Sequence, residues 1–159
     1  MAALQTGFKA HAGGSPVDPG YEMRVRASFD RQNAMRLLGA QLTRISPGAC
    51  TIELPYRDDL TQQHGYIHAG IVSAIADSAG GYAGFTLFPA DASVLTVEYK
   101  LNLIAPAAGE RLIAEASVVK PGKTLVITRG EVYAEREGAR TLCAIMQQTL
   151  MVMAGKPDH

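Results

Sequence analysis

Asp77 is the residue in this chain that most needs a chemical reason. It follows Ala69-Gly70-Ile71-Val72-Ser73-Ala74-Ile75-Ala76, a run of small and aliphatic residues that reads as helix, and it sits about two turns inside. A carboxylate in such surroundings costs free energy unless it is paired, hydrogen-bonded or neutralised. Burial raises the pKa of an acid, which makes Asp77 a better base near neutral pH. Ahead of it runs the polar loop Gln62-Gln63-His64-Gly65-Tyr66-Ile67-His68. The loop opens onto a helix N-terminus near Ala69 and Gly70, whose free N–H groups and positive dipole end suit a developing negative charge. A structural carboxylate, capping or bridging between two copies, is the competing reading of Asp77.

Other reactive residues offer less. His64 and His68 are four apart, but Gly65 lies between them and the Glu of a His-Glu-x-x-His motif is missing. The pair therefore reads as loop, with His68 fixing that loop through hydrogen bonds, and no metal is expected. Ser78 lacks the leading glycine and the strand-to-helix turn of a nucleophile elbow. Cys50 and Cys143 form no C-x-x-C pair and lie in apolar strand-like runs, where reduced, buried thiols are expected. Neither a Walker loop nor a Rossmann fingerprint occurs.

The 159 residues favour one domain with a sizeable core. Fifteen basic side chains balance fifteen acidic ones, which argues against a nucleic-acid binder or a polybasic membrane anchor. Hydrophobic residues make up 47% and charged ones 19%, as in a globular soluble protein. There is no signal-peptide pattern and no apolar run of about 18 residues or more. A cytoplasmic location is the expectation.

Several elements must position Asp77. Residues 1–20, rich in Gly, Ala, Ser and Pro, read as a flexible arm. From Ser28 as N-cap, residues 29–38 predict a short amphipathic helix that ends before Gly39. Residues 41–45 and 50–54 flank Ser46-Pro47-Gly48 as a hairpin, and residues 56–68 form a long loop. The central helix spans about residues 69–87. Gly80, Gly81 and Gly84 lie inside it at about 1 kcal/mol each relative to alanine, a cost that implies close packing against its backbone. Residues 95–103 alternate with period two, placing Thr96 with Glu98, Lys100 and Asn102 on a polar face. Residues 112–119, 124–134 and 140–153, joined by short turns, predict an antiparallel meander. The sum is an α+β domain over residues 21–159, with a sheet curled around one long helix. An exposed sheet edge then favours pairing with a second copy.

The run Gln62-x5-His68-Ala69-Gly70-x6-Asp77, followed by Leu95-Thr96-Val97-Glu98-Tyr99-Lys100-Leu101-Asn102 and Pro106, resembles the hotdog-fold acyl-CoA thioesterases. The nearest type is the phenylacetate-degradation and 4-hydroxybenzoyl-CoA thioesterase group, and the likeness covers roughly residues 45–153. It implies the hotdog fold and a substrate-derived coenzyme A, with no separate cofactor. It further implies that Asp77 is general base or nucleophile and that the N–H of Ala69 polarises the thioester carbonyl. Gln62 would orient the attacking water or the substrate, and Thr96 would stand near the carboxylate. His68 and Gly70 complete the loop-helix site, and Lys120 and Lys123, if not merely solvated turn residues, would meet coenzyme A phosphates. Arg129 and Arg136 are further candidates for that contact. In the family the site forms across a homodimer interface, with Asp77 facing Ala69 and Gln62 of the other subunit, and the assembly implied is a homodimer or a homotetramer. This chain has His-Ala-Gly where the family has His-Gly-Gly. Alanine keeps the N–H, but its methyl group restricts the backbone and crowds the thioester. The expectation is an acyl-CoA thioesterase. The alternatives are a non-catalytic acyl-CoA-binding module, which the Ala69 departure keeps open, and a hotdog hydratase or dehydratase, whose motifs are missing.

Overall fold

Glycine and alanine make the central helix thin enough for a sheet to close around it, and the rest of the chain follows from that. A computed structural model describes residues 15–158. The elements are α1 (Tyr21–Arg31), α2 (Asn33–Leu38), β1 (Gln41–Ser46), β2 (Ala49–Pro55), a 3-10 turn (Asp58–Leu60), α3 (Ala69–Phe85), β3 (Ser93–Leu103), β4 (Arg111–Lys120), β5 (Leu125–Arg136) and β6 (Ala139–Met153). The six strands form one antiparallel sheet in the order β1-β2-β4-β5-β6-β3. The expected meander is β4-β5-β6, and β3 joins its far side as an edge strand. Helix α3 packs against β2, β3, β4, β5 and β6, so the sheet wraps it as an α+β arrangement.

The helix glycines have different reasons. A Cβ on Gly80 would collide with the carboxamide oxygen of Gln148, and one on Gly84 with Cδ1 of Leu150. Both residues come from β6, so the cost of these glycines is offset by sheet packed directly on helix backbone. A Cβ on Gly81 would meet nothing within 4 Å. The helix stops at Phe85, two residues short of the expected end. There the buried Thr86 hydroxyl donates to the Ala83 carbonyl (2.7 Å) and accepts the Gly48 N–H (2.7 Å), tying the β1–β2 turn to the helix end.

Two expectations change. Ser28 is not an N-cap: α1 begins at Tyr21, and Ser28 lies inside it with its hydroxyl 3.2 Å from the Tyr82 hydroxyl. The single expected helix is two, broken at Gln32, whose backbone is extended (φ −75°, ψ 92°), while Gly39 ends the second as expected, at φ +76°. Of the expected arm, residues 1–14 lie outside the described residues, and Asp18 accepts the Gly20 N–H (2.8 Å) at the start of α1.

The second change concerns β3. Thr96 pairs with Leu150 and Glu98 with Thr149, so Val97 is an extra residue in a β-bulge. Directly paired residues share a sheet face. Thr96 therefore joins Leu150 on the face toward α3, and Glu98 joins Thr149 on the outer face, where their side chains hydrogen-bond at 3.1 Å. Strict alternation put Thr96 and Glu98 together; the bulge separates them.

Arg24 holds α1 over the end of α3. Its guanidinium lies 4.2 Å from the Phe85 ring centroid and donates to the carbonyls of Phe85 (3.4 Å), Phe88 (2.8 Å) and Pro89 (3.1 Å), with Asp18 pairing at 3.0 Å. Arg24→Met leaves those carbonyls without their donor. Chemical denaturation is expected to show a loss of about 1–3 kcal/mol; an unchanged midpoint would mean water replaces the guanidinium at no cost.

Candidate active site

The chemistry of Asp77 depends on which of its oxygens is occupied. Thr96 Oγ1 donates to Asp77 Oδ1 at 2.7 Å, and Gln148 Nε2 donates to the same oxygen, to the Asp77 carbonyl (3.2 Å) and to Thr96 Oγ1 (3.0 Å). Thr128 Oγ1 donates to Gln148 Oε1 at 2.9 Å, which fixes the amide with its nitrogen toward Asp77. Oδ2 accepts no hydrogen bond from the described residues. Burial pushes the Asp77 pKa up, and the Thr96 and Gln148 hydrogen bonds act against it. The result is a carboxylate with one oxygen pinned and the other free.

Asp77 lines a cavity of about 450 Å³ between α1, α3 and the start of β3, together with Ser28, Gln32, Ser78, Gly81 and Tyr82. The backbone break at Gln32 brings its side chain to Ser78, whose hydroxyl donates to Gln32 Oε1 at 3.2 Å.

The loop-helix residues gather elsewhere. His68 is the N-cap of α3, and its Nδ1 accepts the Gly70 N–H at 2.9 Å. The N–H groups of Ile71 (2.9 Å) and Val72 (3.1 Å) go to the His68 carbonyl. Of the first-turn donors this leaves the Ala69 N–H with no acceptor among the described residues. Gln62 Oε1 accepts the His64 N–H, and the turn closes through Gln62 N–H to the Tyr66 carbonyl (2.8 Å) and Gly65 N–H to the Gln62 carbonyl (2.9 Å). Eight residues of straight helix, about 12 Å, separate Ala69 from Asp77. One chain thus unites Asp77 with Thr96, but not with Ala69, Gly70, His68 or Gln62.

Lys120 and Lys123 bracket the exposed β4–β5 turn and pair with no carboxylate among the described residues. Lys120 pairs with Ile127, the neighbour of Thr128 along β5. Arg129 pairs with Glu131 at 2.7 Å, and Arg136 is exposed at the end of β5. The cysteines are buried free thiols, with Cys50 pushed up to about 12 and Cys143 to about 11 by burial.

Sequence reasoning missed Gln148 and Thr128. The signal was a polar residue in the apolar phase of β6: Ala144, Met146, Gln148 and Leu150 are all buried. Gln32 and Tyr82 carried no comparable mark.

With this geometry in view, comparison with known proteins is informative. The thioesterase superfamily matches residues 64–140, from the polar loop through β5. A crystal structure of a thioesterase family protein from Silicibacter pomeroyi is 49% identical, with a TM-score of 0.84, covering 86% of this chain and 100% of that one. The chain belongs to the thioesterase superfamily. Its α+β architecture is therefore the hotdog fold, and several of the proteins it resembles are named as thioesterases or putative esterases. Human (Homo sapiens) acyl-coenzyme A thioesterase 13 is 27% identical over 106 residues, which cover 65% of this chain and 75% of that protein. The E. coli PaaI protein from the phenylacetic acid degradation operon shares the fold at 17% identity, with a TM-score of 0.77 over 86% of this chain and 96% of that one. No helix among the described residues is long and apolar enough to cross a membrane.

If Gln148 stabilises the charged form of Asp77, its removal must raise the Asp77 pKa. Gln148→Leu is expected to shift the titration of the Asp77 carboxyl carbon, followed by NMR, to higher pH than in wild type. An unmoved titration would mean Thr96 alone holds the charge.

Proposed function

We propose that this member of the superfamily hydrolyses acyl-CoA thioesters to a free carboxylic acid and coenzyme A, with Asp77 delivering the attack. The observation that carries this reading is the half-occupied carboxylate: Oδ1 is pinned by Thr96 and Gln148, Oδ2 accepts no hydrogen bond from the described residues, and Asp77 lines a cavity large enough for an acyl group. Asp77 acts either directly through Oδ2, forming a mixed anhydride whose carbonyl a water then attacks, or by taking the proton of a water that attacks the thioester carbonyl. On both routes the C–S bond breaks, the sulfur leaves as thiolate and takes up a proton from water, and the oxygen of water ends in the free acid, with Asp77 restored. The raised pKa of Asp77 suits it to receive a proton near neutral pH.

The negative charge on the thioester oxygen goes to the Ala69 N–H of a second subunit. Two facts support this. The same chain's Ala69 is too far along the helix to act on a carbonyl at Asp77, and the outer edge of the eleven-residue β3 pairs with no strand among the described residues, with Leu95, Val97, Tyr99 and Leu103 exposed. Unpaired edges of this kind favour pairing with another strand. A homodimer joined there, alone or within a tetramer, would bring Gln62 and Ala69 of one copy toward Asp77 of the other. In that arrangement His68 holds the helix end rigid, Gln62 orients the attacking water, and Lys120 and Lys123 are free to meet coenzyme A phosphates.

Thiol release from a panel of acyl-CoAs tests the reading. Asp77→Asn is expected to lose at least about a hundredfold in kcat. The sign of its effect on stability is the opposite. Because the folded pKa of Asp77 is raised, ionisation opposes folding as pH rises through it, so the neutral variant should hold or raise Tm at pH 7 and lose this advantage below about pH 4. Loss of activity together with stability would mark Asp77 as structural.

Ala69→Pro removes one N–H at the first helical position, where proline fits, after a residue already extended at φ −61° and ψ 139°. It should cost about a hundred- to a thousandfold in kcat with the fold intact. Heterodimers of Asp77→Asn with Ala69→Pro should regain measurable activity, because one of their two shared sites is whole. No recovery on mixing would place both groups in one chain's site and overturn the shared arrangement.

A further inference from the structure

The space beside Gly81 is not explained by packing. A Cβ there would meet nothing within 4 Å among the described residues, yet glycine in a helix interior is less favourable than alanine, so no neighbour among them demands it. Gly81 lies one turn beyond Asp77 on the same helix face and lines the same cavity. The adjacent face of α3 is seamed to α1 by two rungs one turn apart: Ser78 to Gln32 (3.2 Å) and Tyr82 to Ser28 (3.2 Å). Arg31 and Asp158, which pair at 2.8 Å, line the same cavity. The volume left open beside these rungs and the start of β3 is thus lined by both Asp77 and Gly81.

The rungs also give the space a polarity. Ser78 donates to Gln32 Oε1, which turns Nε2 of that amide away from Ser78, and Nε2 has no acceptor among the described residues. Gln32 makes no side-chain cap to either helix it separates. Its side chain serves neither helix end and presents an unused donor instead. A bare hydrocarbon packed here would strand that donor, whereas an oxygen-bearing group would pair with it.

We infer that this chamber receives the acyl group, that Gly81 sets the bulk it admits, and that Gln32 favours acyl groups carrying a hydrogen-bond acceptor such as a hydroxyl, keto or ether oxygen. The inference rests on the thioesterase reading for its activity assay, but it concerns where the acyl group lies and which kind is preferred.

Two variants test it. Gly81→Ala fills the space with one methyl group while improving helix propensity. Its Tm should rise by about 2–4 °C, while kcat/KM for naphthoyl-CoA relative to butyryl-CoA falls about tenfold or more. Gln32→Met keeps length and flexibility but removes the donor. Wild type should prefer 3-hydroxyhexanoyl- or 5-oxohexanoyl-CoA over hexanoyl-CoA in kcat/KM, and the variant should bring that ratio to about one. If Gly81→Ala leaves the size ratio unchanged, the acyl group lies elsewhere and the inference falls. If Gln32→Met leaves the oxygen preference unchanged, its polar half falls. Should wild type release no thiol from any of these, hydrolysis is refuted and the same ratios are read as Kd by calorimetry. The chamber then stands if binding follows the same order and falls if it does not.

Discussion

A carboxylate lodged between a helix of small residues and the apolar face of a sheet must be given hydrogen-bond donors, and much of this chain is arranged around that requirement. Two donors reach Asp77, and each depends on an irregularity elsewhere. Thr96 reaches it because Val97 bulges out of β3 and reverses the phase of the strand. Gln148 reaches it because position 80 is glycine, which leaves room for a carboxamide against the helix backbone. Thr128 then fixes which end of that carboxamide points at the acid. Burial without these donors would leave a neutral acid; donors without burial would leave an ordinary surface carboxylate.

The architecture was largely legible because it rests on short-range regularities. The period-two pattern of residues 95–103, the Pro47-Gly48 turn and the glycine at position 39 each correspond to an observed strand, turn or helix end. The chain of small residues from Ala69 onward announced a helix packed closely by something, and β6 supplies it. What failed were features settled by tertiary contact. Ser28 has the chemistry of an N-cap, but its hydroxyl is turned to Tyr82 across the helix pair. The break at Gln32 has no proline or glycine to announce it. A bulge leaves no mark in a sequence whose polar and apolar residues alternate without a fault.

The candidate site was legible in the same uneven way. Asp77 stood out because a lone acid in an apolar helix is energetically conspicuous. Thr96 was assigned by resemblance while its strand phase argued against it, and the register of β3 reconciles the two. Gln148 sat in plain view as a polar residue in a buried phase, yet its meaning depends on which helix residue faces it, seventy-one positions away. The loop residues from Gln62 to Gly70 form a rigid turn of their own, remote from Asp77 of the same chain. Their bearing on Asp77 therefore turns on assembly, which no pattern within one sequence displays.

The open N–H of Ala69 is a main-chain group, and every amino acid but one carries it. Drift at this position cannot erase the donor as it would erase a side chain; it can only change the bulk that stands beside it. Any residue but proline at position 69 would keep the hydrogen-bonding capacity of the helix end, and only the bulk beside it would differ. A search for this site by residue identity will undervalue the position, whereas a search by backbone geometry will find it unchanged.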